Sequence, residues 1–176
     1  MKKTIRTPLT SSIKELSAGE EVLINGTIFT ARDAAHKRLI TLINNNEKLP
    51  VDLVNQILYY TGPTPAQAGK AIGSAGPTTS SRMDRYTPQL IKTSGLRGII
   101  GKGNRSPEVI QSFIEHECVY FAAIGGAGAL LSKSIKSAEV ICYEDLGAEA
   151  IYKLTVENFP AIVAIDCKGN NLYMRT

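Results

Sequence analysis

Glu21-Val22-Leu23-Ile24-Asn25-Gly26-Thr27-Ile28-Phe29 runs without a break into Thr30-Ala31-Arg32-Asp33-Ala34-Ala35-His36-Lys37-Arg38-Leu39-Ile40-Thr41-Leu42-Ile43, and this junction decides the fold class. The first nine residues are rich in β-branched side chains and alternate loosely, with Gly26 placed for a bulge or a close backbone approach. In the second stretch Ala35, Leu39, Ile40 and Ile43 share one helical face, Thr30 reads as the N-cap and Arg32 falls in the first turn. A strand that delivers the chain straight into an amphipathic helix is the building unit of an α/β fold.

The same alternation continues on both sides. Upstream, residues 2–9 predict a strand and 11–16 a short helix. Downstream, Asn44-Asn45-Asn46 ends the helix, 53–60 predicts a strand, and Thr61-Gly62-Pro63-Thr64-Pro65 closes it with turn chemistry. Thr87-Pro88 reads as an N-cap with proline at the first helical position, for a helix ending at Gly95. Residues 96–103 predict a short strand, Ser106-Pro107-Glu108 the start of a helix to about Glu117, and 118–124 another strand. Gly125-Gly126-Ala127-Gly128 reads as a tight turn into 129–135; it lacks the spacing of a nucleotide-binding loop. The remainder predicts a strand at 139–143, a short helix at 148–153, a strand at 161–166 and a last strand around Leu172.

Length and composition fit one α/β domain spanning 1–176: 176 residues, 43% apolar and 20% charged. The net charge of +4 comes from 20 Lys and Arg against 16 Asp and Glu, scattered singly. An anionic small molecule or an acidic partner subunit therefore ranks above nucleic acid. The basic amino end lacks an apolar segment behind it, and the longest apolar stretch, 119–131, is interrupted by glycines, so neither a secretory signal nor a membrane span is expected and the chain is read as cytoplasmic. Cys118, Cys142 and Cys167 form no C-x-x-C pair; they read as buried free thiols, and any iron or zinc is expected on another chain.

The chemistry gathers around Gly76-Pro77-Thr78-Thr79-Ser80-Ser81-Arg82-Met83-Asp84. Four consecutive hydroxyls after a turn signal are helix-capping types, and an arginine in that first turn joins the free N–H groups and the positive dipole end, which suits a carboxylate or phosphate. Whether this stretch and the following helix form one kinked element or two stays open. Arg32 and Lys102 sit at comparable positions, each after a strand among small or hydroxyl residues, where α/β folds build sites. Two arginines and a lysine match a substrate with two carboxylates. Taken singly, each also reads as a surface charge, His36 as a structural hydrogen-bonder and His116 as a helix-end residue. No paired carboxylates, catalytic triad or metal cluster is visible, so what remains is half a site.

Thr30-Ala31-Arg32-Asp33-Ala34-Ala35-His36-Lys37, Tyr60-Thr61-Gly62-Pro63-Thr64-Pro65, Gly76 to Asp84, Gly101-Lys102-Gly103, Ala122 to Ala127, Tyr143-Glu144-Asp145-Leu146-Gly147 and the ending 163–173 together resemble the β subunit of two-subunit class I (iron–sulfur) fumarate hydratases, within the Fe–S hydro-lyase family. The resemblance implies a swivelling β/β/α domain, a mixed sheet with flanking helices. It implies a hydro-lyase of the tricarboxylic acid cycle that hydrates fumarate to L-malate and is active only with a larger α subunit. That subunit carries a [4Fe–4S] cluster that this chain does not ligate. The assembly is expected to be a hetero-oligomer, or a homodimer when the chain is isolated. Carried onto this sequence, the carboxylate clamps are Arg32 and Arg82, the catalytic positions are Thr78 and Lys102, and the substrate hydrogen bonds fall among Thr79, Ser80 and Ser81, a choice left to geometry. The β subunit of L(+)-tartrate dehydratase is the alternative within the family. A non-catalytic anion-binding or assembly subunit is the alternative of another class.

Overall fold

The computed structural model describes residues 1–124 and 128–174, and the 125–127 turn expectation lies outside them. The parallel part of the sheet comprises β1 (Lys3–Arg6), β2 (Glu21–Thr30), β3 (Ile57–Tyr59), β4 (Gly98–Gly101) and β5 (Val119–Ala123). Helices α1 (Asp33–Asn44), α2 (Thr87–Ser94) and α3 (Pro107–Glu115) connect these strands. The four-residue α4 (Gly128–Leu131) then leads to β6 (Ile135–Cys142) and the fifteen-residue β7 (Ile151–Ile165). Strands run in the order β1-β2-β3-β4-β5-β7-β6, and β7 also pairs with β2.

That second pairing closes the sheet on itself. β7 lies antiparallel to β2 from Lys153 to Ile162 and antiparallel to β5 from Ala161 to Ile165, so the ring β2-β3-β4-β5-β7 has no open edge. Side-chain alternation divides the strands between two cores. Ile57, Tyr59, Ile100, Val119 and Phe121 point inward against Ile24, Ile28, Leu154, Phe159 and Val163. Their neighbours Leu58, Tyr60, Ile99 and Tyr120 point outward and are covered by Ala35 and Leu39 of α1, Leu90 and Ile91 of α2, and Val109 and Phe113 of α3. This gives the expected α/β architecture, a mixed sheet with flanking helices, with helices on one face and strands folded over the other. No helix among the described residues is long and apolar enough to cross a membrane.

Gly26 takes φ +109° at a register shift, and a Cβ there would stand 2.5 Å from Thr7 Oγ1, so it is both bulge and close approach. Ser106 caps α3 through Val109 N–H, and Gly95 ends α2 in the left-handed region. Four local expectations need correcting. Thr30 is the last residue of β2 rather than a cap, its hydroxyl accepting from Tyr152 N–H across the sheet; Arg32 occupies the N-cap position of α1. Thr87 is the first residue of α2, one position inside the helix it was expected to cap.

The expected helix at 148–153 is a 3-10 segment, Glu144–Glu149, followed by the start of β7. β6 pairs with the chain from Ile151 on and β2 from Lys153 on, and these hydrogen-bond partners draw the end of the segment into the sheet. The strand expected around Leu172 is a 3-10 turn, Leu172–Met174. The Asp166 carboxylate, which accepts from the backbone N–H groups of Lys168 and Asn170, folds the chain back so tightly that, among the described residues, only Asn171 of this ending pairs, with Ile165.

Candidate active site

Because β2, β3 and β4 are parallel neighbours, their carboxyl ends form one rim, where α/β folds place ligands. At the end of β2, Arg32 adopts an extended backbone (φ −118°), and its side chain crosses the backbone of Gly62; a Cβ on Gly62 would lie 2.9 Å from both Arg32 Cδ and Nη1. Past the end of β3, Tyr60 O accepts from Thr78 N–H at 2.7 Å, and the Thr61 hydroxyl donates to Gly76 O at 2.7 Å. These two bonds lay the 76–78 segment over β3. One residue on, Thr79 pairs in parallel fashion with Lys102, the first residue beyond β4, and Ser80 N–H donates to Lys102 O at 2.9 Å. Residues 15 or more apart in sequence thus meet on one rim.

On that rim Thr78 is half-buried, while Thr79 and Lys102 are exposed. Among the described residues neither the Thr78 hydroxyl nor the Lys102 amine has a hydrogen-bond or ion-pair partner, so both are open to a ligand. Ser80 is placed differently from expectation. It is fully buried, with Oγ accepting from Lys102 N–H at 3.2 Å and lying 2.9 Å from the Tyr120 phenol. That phenol is also 2.8 Å from Gly103 O, which can only accept, so the phenolic proton goes there and Ser80 supplies the other proton. Burial raises the Tyr120 pKa more than Ser80 lowers it, and the phenol stays protonated. Ser80 therefore braces the Lys102 loop from inside the fold, away from the exposed side of the rim.

Arg82 lies in a 3-10 helix, Ser80–Met83, separated by a turn from α2, so the hydroxyl stretch and the next helix are two elements. Its guanidinium is not free. Nε donates to Asp33 Oδ1 at 3.2 Å and Nη2 lies 2.9 Å from Oδ2, while about half of the side chain stays exposed. Asp33 is the first residue of α1, next to Arg32. The four cation-bearing and hydroxyl positions Arg32, Thr78, Arg82 and Lys102 are thereby held to one another through two strand ends, one pairing and one ion pair.

Sequence reading missed Arg105. Its side chain is fully buried, with Nε donating to Asp84 Oδ1 at 2.6 Å and Nη2 to the Thr87 hydroxyl at 2.8 Å, between the rings of Tyr60, Phe113 and Tyr120. Asp84 Oδ2 accepts from Ser106 N–H at 2.8 Å. Asp84 ends the Arg82 helix and Arg105 follows Lys102 by three residues, so this buried pair ties together the two segments that carry the cations. Burial works against the Arg105 charge, but Tyr60 and Asp84 more than offset it. No local pattern announces such an arginine, because the carboxylate that permits its burial is 21 residues away.

His36 does not face the rim. It is fully buried, its Nδ1 donates to Arg32 O at 2.7 Å, and it packs against Tyr60 and Tyr86. Burial pushes its pKa down to about 4, chiefly by desolvation, so it is a neutral structural residue. Cavities of about 740, 660 and 560 Å³ open elsewhere, beside α1 and Tyr143, between α2 and α3, and beside Leu49 and Val51. None of these three is lined by Arg32, Thr78, Arg82 or Lys102, and the rim stands open at the surface.

The residues present do not fit an iron–sulfur cluster. Among the described residues no three His, Cys, Asp or Glu side chains gather to hold a metal. Cys118 is buried with its thiol on Leu96 O, and burial pushes its pKa up to about 12, opposite to what a thiolate ligand needs. Burial also raises the thiol pKa values of Cys142 and Cys167.

Comparison with known proteins bears directly on this geometry. Residues 3–176 match the family model described as the fumarase C-terminus. The chain is 38% identical over 180 residues to fumarate hydratase 2 of Leishmania major, an alignment covering 100% of this chain and 32% of that protein. It is 39% identical over 181 residues to the aerobic class I fumarate hydratase of Escherichia coli K12, covering 98% of this chain and 33% of that protein. With the putative L(+)-tartrate dehydratase subunit beta of Methanocaldococcus jannaschii the identity is 41% over 166 residues, 92% of this chain and 85% of the relative. The chain thus spans about a third of the length of these fumarate hydratases and most of that beta subunit. A match over nearly the whole chain, carrying the motifs that build the rim, places this protein in the fumarase C-terminus family.

Proposed function

We propose that the chain is the small subunit of a cytoplasmic class I fumarate hydratase, contributing one wall of an active site completed by a larger partner. The observation that carries this reading is the pairing of Thr79 with Lys102 beside the Asp33–Arg82 contact, which gathers two guanidinium groups, an ammonium and an uncommitted hydroxyl on one open rim. Fumarate and L-malate are four-carbon diacids. Arg32 and Arg82 each offer a planar fork to one carboxylate. A [4Fe–4S] cluster, for which no ligand set gathers among the described residues, belongs to the partner and would supply Lewis acidity there.

In the hydration direction a proton is added at C3, and in dehydration it is removed from C3 as negative charge spreads into the adjacent carboxylate. Lys102, an exposed point charge, stabilises that developing charge. Thr78 Oγ1 is the proton-transfer group. A hydroxyl is a weak base on its own, so the role depends on the neighbouring cations, which favour its ionised form, and on a partner acid that takes the proton onward. Thr79 supplies a further substrate hydrogen bond.

The test is activity of the assembled enzyme. Arg82→Ala and Lys102→Ala each lower malate dehydration by about 10²–10³, the range for losing one preorganised group at developing charge. Near-normal turnover in both variants would refute the site. The beta-subunit relative, matched over 85% of its length, favours a separate-subunit architecture and makes tartrate the second substrate to assay in parallel. Turnover of tartrate without malate would move the assignment to that dehydratase, and a folded, inactive complex that binds neither would indicate an assembly subunit.

A further inference from the structure

Arg82 is the one proposed clamp whose guanidinium is already held by a carboxylate. We infer that Asp33 is a positioning residue that fixes Arg82 by its Nε–Nη2 edge, leaving the Nη1–Nη2 end of the fork for a substrate carboxylate at a set spacing from Arg32. Nε donates to Oδ1 at 3.2 Å, and Nη2 stands 2.9 Å from Oδ2. Oδ2 is buried and accepts no hydrogen bond, with the Arg82 Nη2 charge 2.9 Å away as its ion-pair partner, so among the described residues the carboxylate is given over to Arg82.

Backbone connectivity gives this contact its meaning. Asp33 opens α1 and follows Arg32 directly, so whatever Asp33 holds is placed relative to Arg32 by one peptide unit and the first helical turn. Arg32 is itself confined across Gly62. Arg82, in contrast, is half-exposed on a short 3-10 helix, and an arginine side chain free in water samples many rotamers. With Asp33 in place the two guanidinium groups are held at one separation, which selects diacids of matching length. Without it Arg82 still carries its charge but has no fixed position.

This inference rests on the diacid reading above, and its test separates the two. In the assembled enzyme, Asp33→Asn raises the KM for L-malate by about tenfold, the size of one lost charge-assisted contact, with a smaller change in kcat. Asp33→Glu, which keeps the charge but moves it by one methylene, restores part of the affinity and lessens the preference for succinate over the five-carbon glutarate as competitive inhibitors. In an Arg82→Ala background Asp33→Asn adds no further change, because a residue acting through another is non-additive with it.

An unchanged or lowered KM in Asp33→Asn overturns the proposal, a lowered one meaning that Asp33 competes with substrate. An equal effect of Asp33→Asn with and without Arg82 also overturns it, as a purely structural role would behave that way. Should the wild-type assembly turn over no diacid, the functional reading fails by itself. The Arg82 Nε–H resonance of the chain then decides the placement: slowed exchange with water that Asp33→Asn abolishes supports it, and exchange unaffected by that substitution overturns it.

Discussion

Replacing Asp84 by alanine removes the only carboxylate that, among the described residues, stands beside the Arg105 guanidinium, a side chain with no exposure to water. Arg105 would keep the Thr87 hydroxyl at 2.8 Å, the Tyr60 phenol at 3.3 Å and three aromatic rings with centroids 5.1 to 5.7 Å away. These contacts share the charge without neutralising it, and Nη1 already lacks a partner. Breaking a buried pair from one side costs about 3–5 kcal/mol. At roughly 2–4 °C per kcal/mol for a domain of this size, the thermal midpoint falls by about 6–20 °C.

Circular dichroism melts of the purified chain measure that shift. The double substitution Asp84→Leu with Arg105→Met removes both charges and is expected to cost less than Asp84→Ala alone, since the desolvation penalty disappears with the charge. A midpoint for Asp84→Ala within about 2 °C of the wild type would refute the reasoning, because it lies well below the cost of an unpaired buried charge. A double variant less stable than the single one would show that packing around Arg105, and not its charge, is what Asp84 supports.

Two further outcomes follow from single residues. Gly62→Ala puts a methyl group 2.9 Å from Arg32 Cδ and Nη1 and 3.3 Å from Ala148 O, and the flexible arginine is what yields; KM for malate in the assembled enzyme should rise by about tenfold while the melting temperature changes little, and an unchanged KM would remove Arg32 from the clamp. His36, held neutral by burial with a pKa near 4 against an ordinary 6.5, takes up a proton only when the chain unfolds below pH 6.5. The stability it protects is therefore complete above pH 6.5 and declines toward pH 4 by about 3 kcal/mol, a slope that urea titrations should find in the wild type and not in His36→Gln.

The fate of individual residues shows what was legible. The β2–α1 junction, the glycine-ended α2, the Ser106 cap and the placement of Arg32 and Lys102 at strand ends all follow from signals that act within a few residues: side-chain period, turn chemistry and capping. Where a local signal was ambiguous, a distant partner decided it. Residues 148–153 read as a short helix, yet β2 and β6 on either side make the end of that segment a strand. Thr30 and Thr87 have capping chemistry, yet each lies inside an element whose bounds were set by its neighbours.

By itself, then, the sequence determined an α/β chain with cations at the ends of its strands, because strand and helix formation there rests on neighbours close in the chain. Tertiary structure alone decided which of those groups stand open on the rim. Ser80 and Thr78 are two residues apart and of like chemistry, but Ser80 is buried under Tyr120 while Thr78 stays open. Arg82 meets a carboxylate 49 residues away and Arg105 one 21 residues away. Burial and charge pairing are properties of what surrounds a side chain in space, and the parallel alignment of β2, β3, β4 and β5 is what brings those surroundings together.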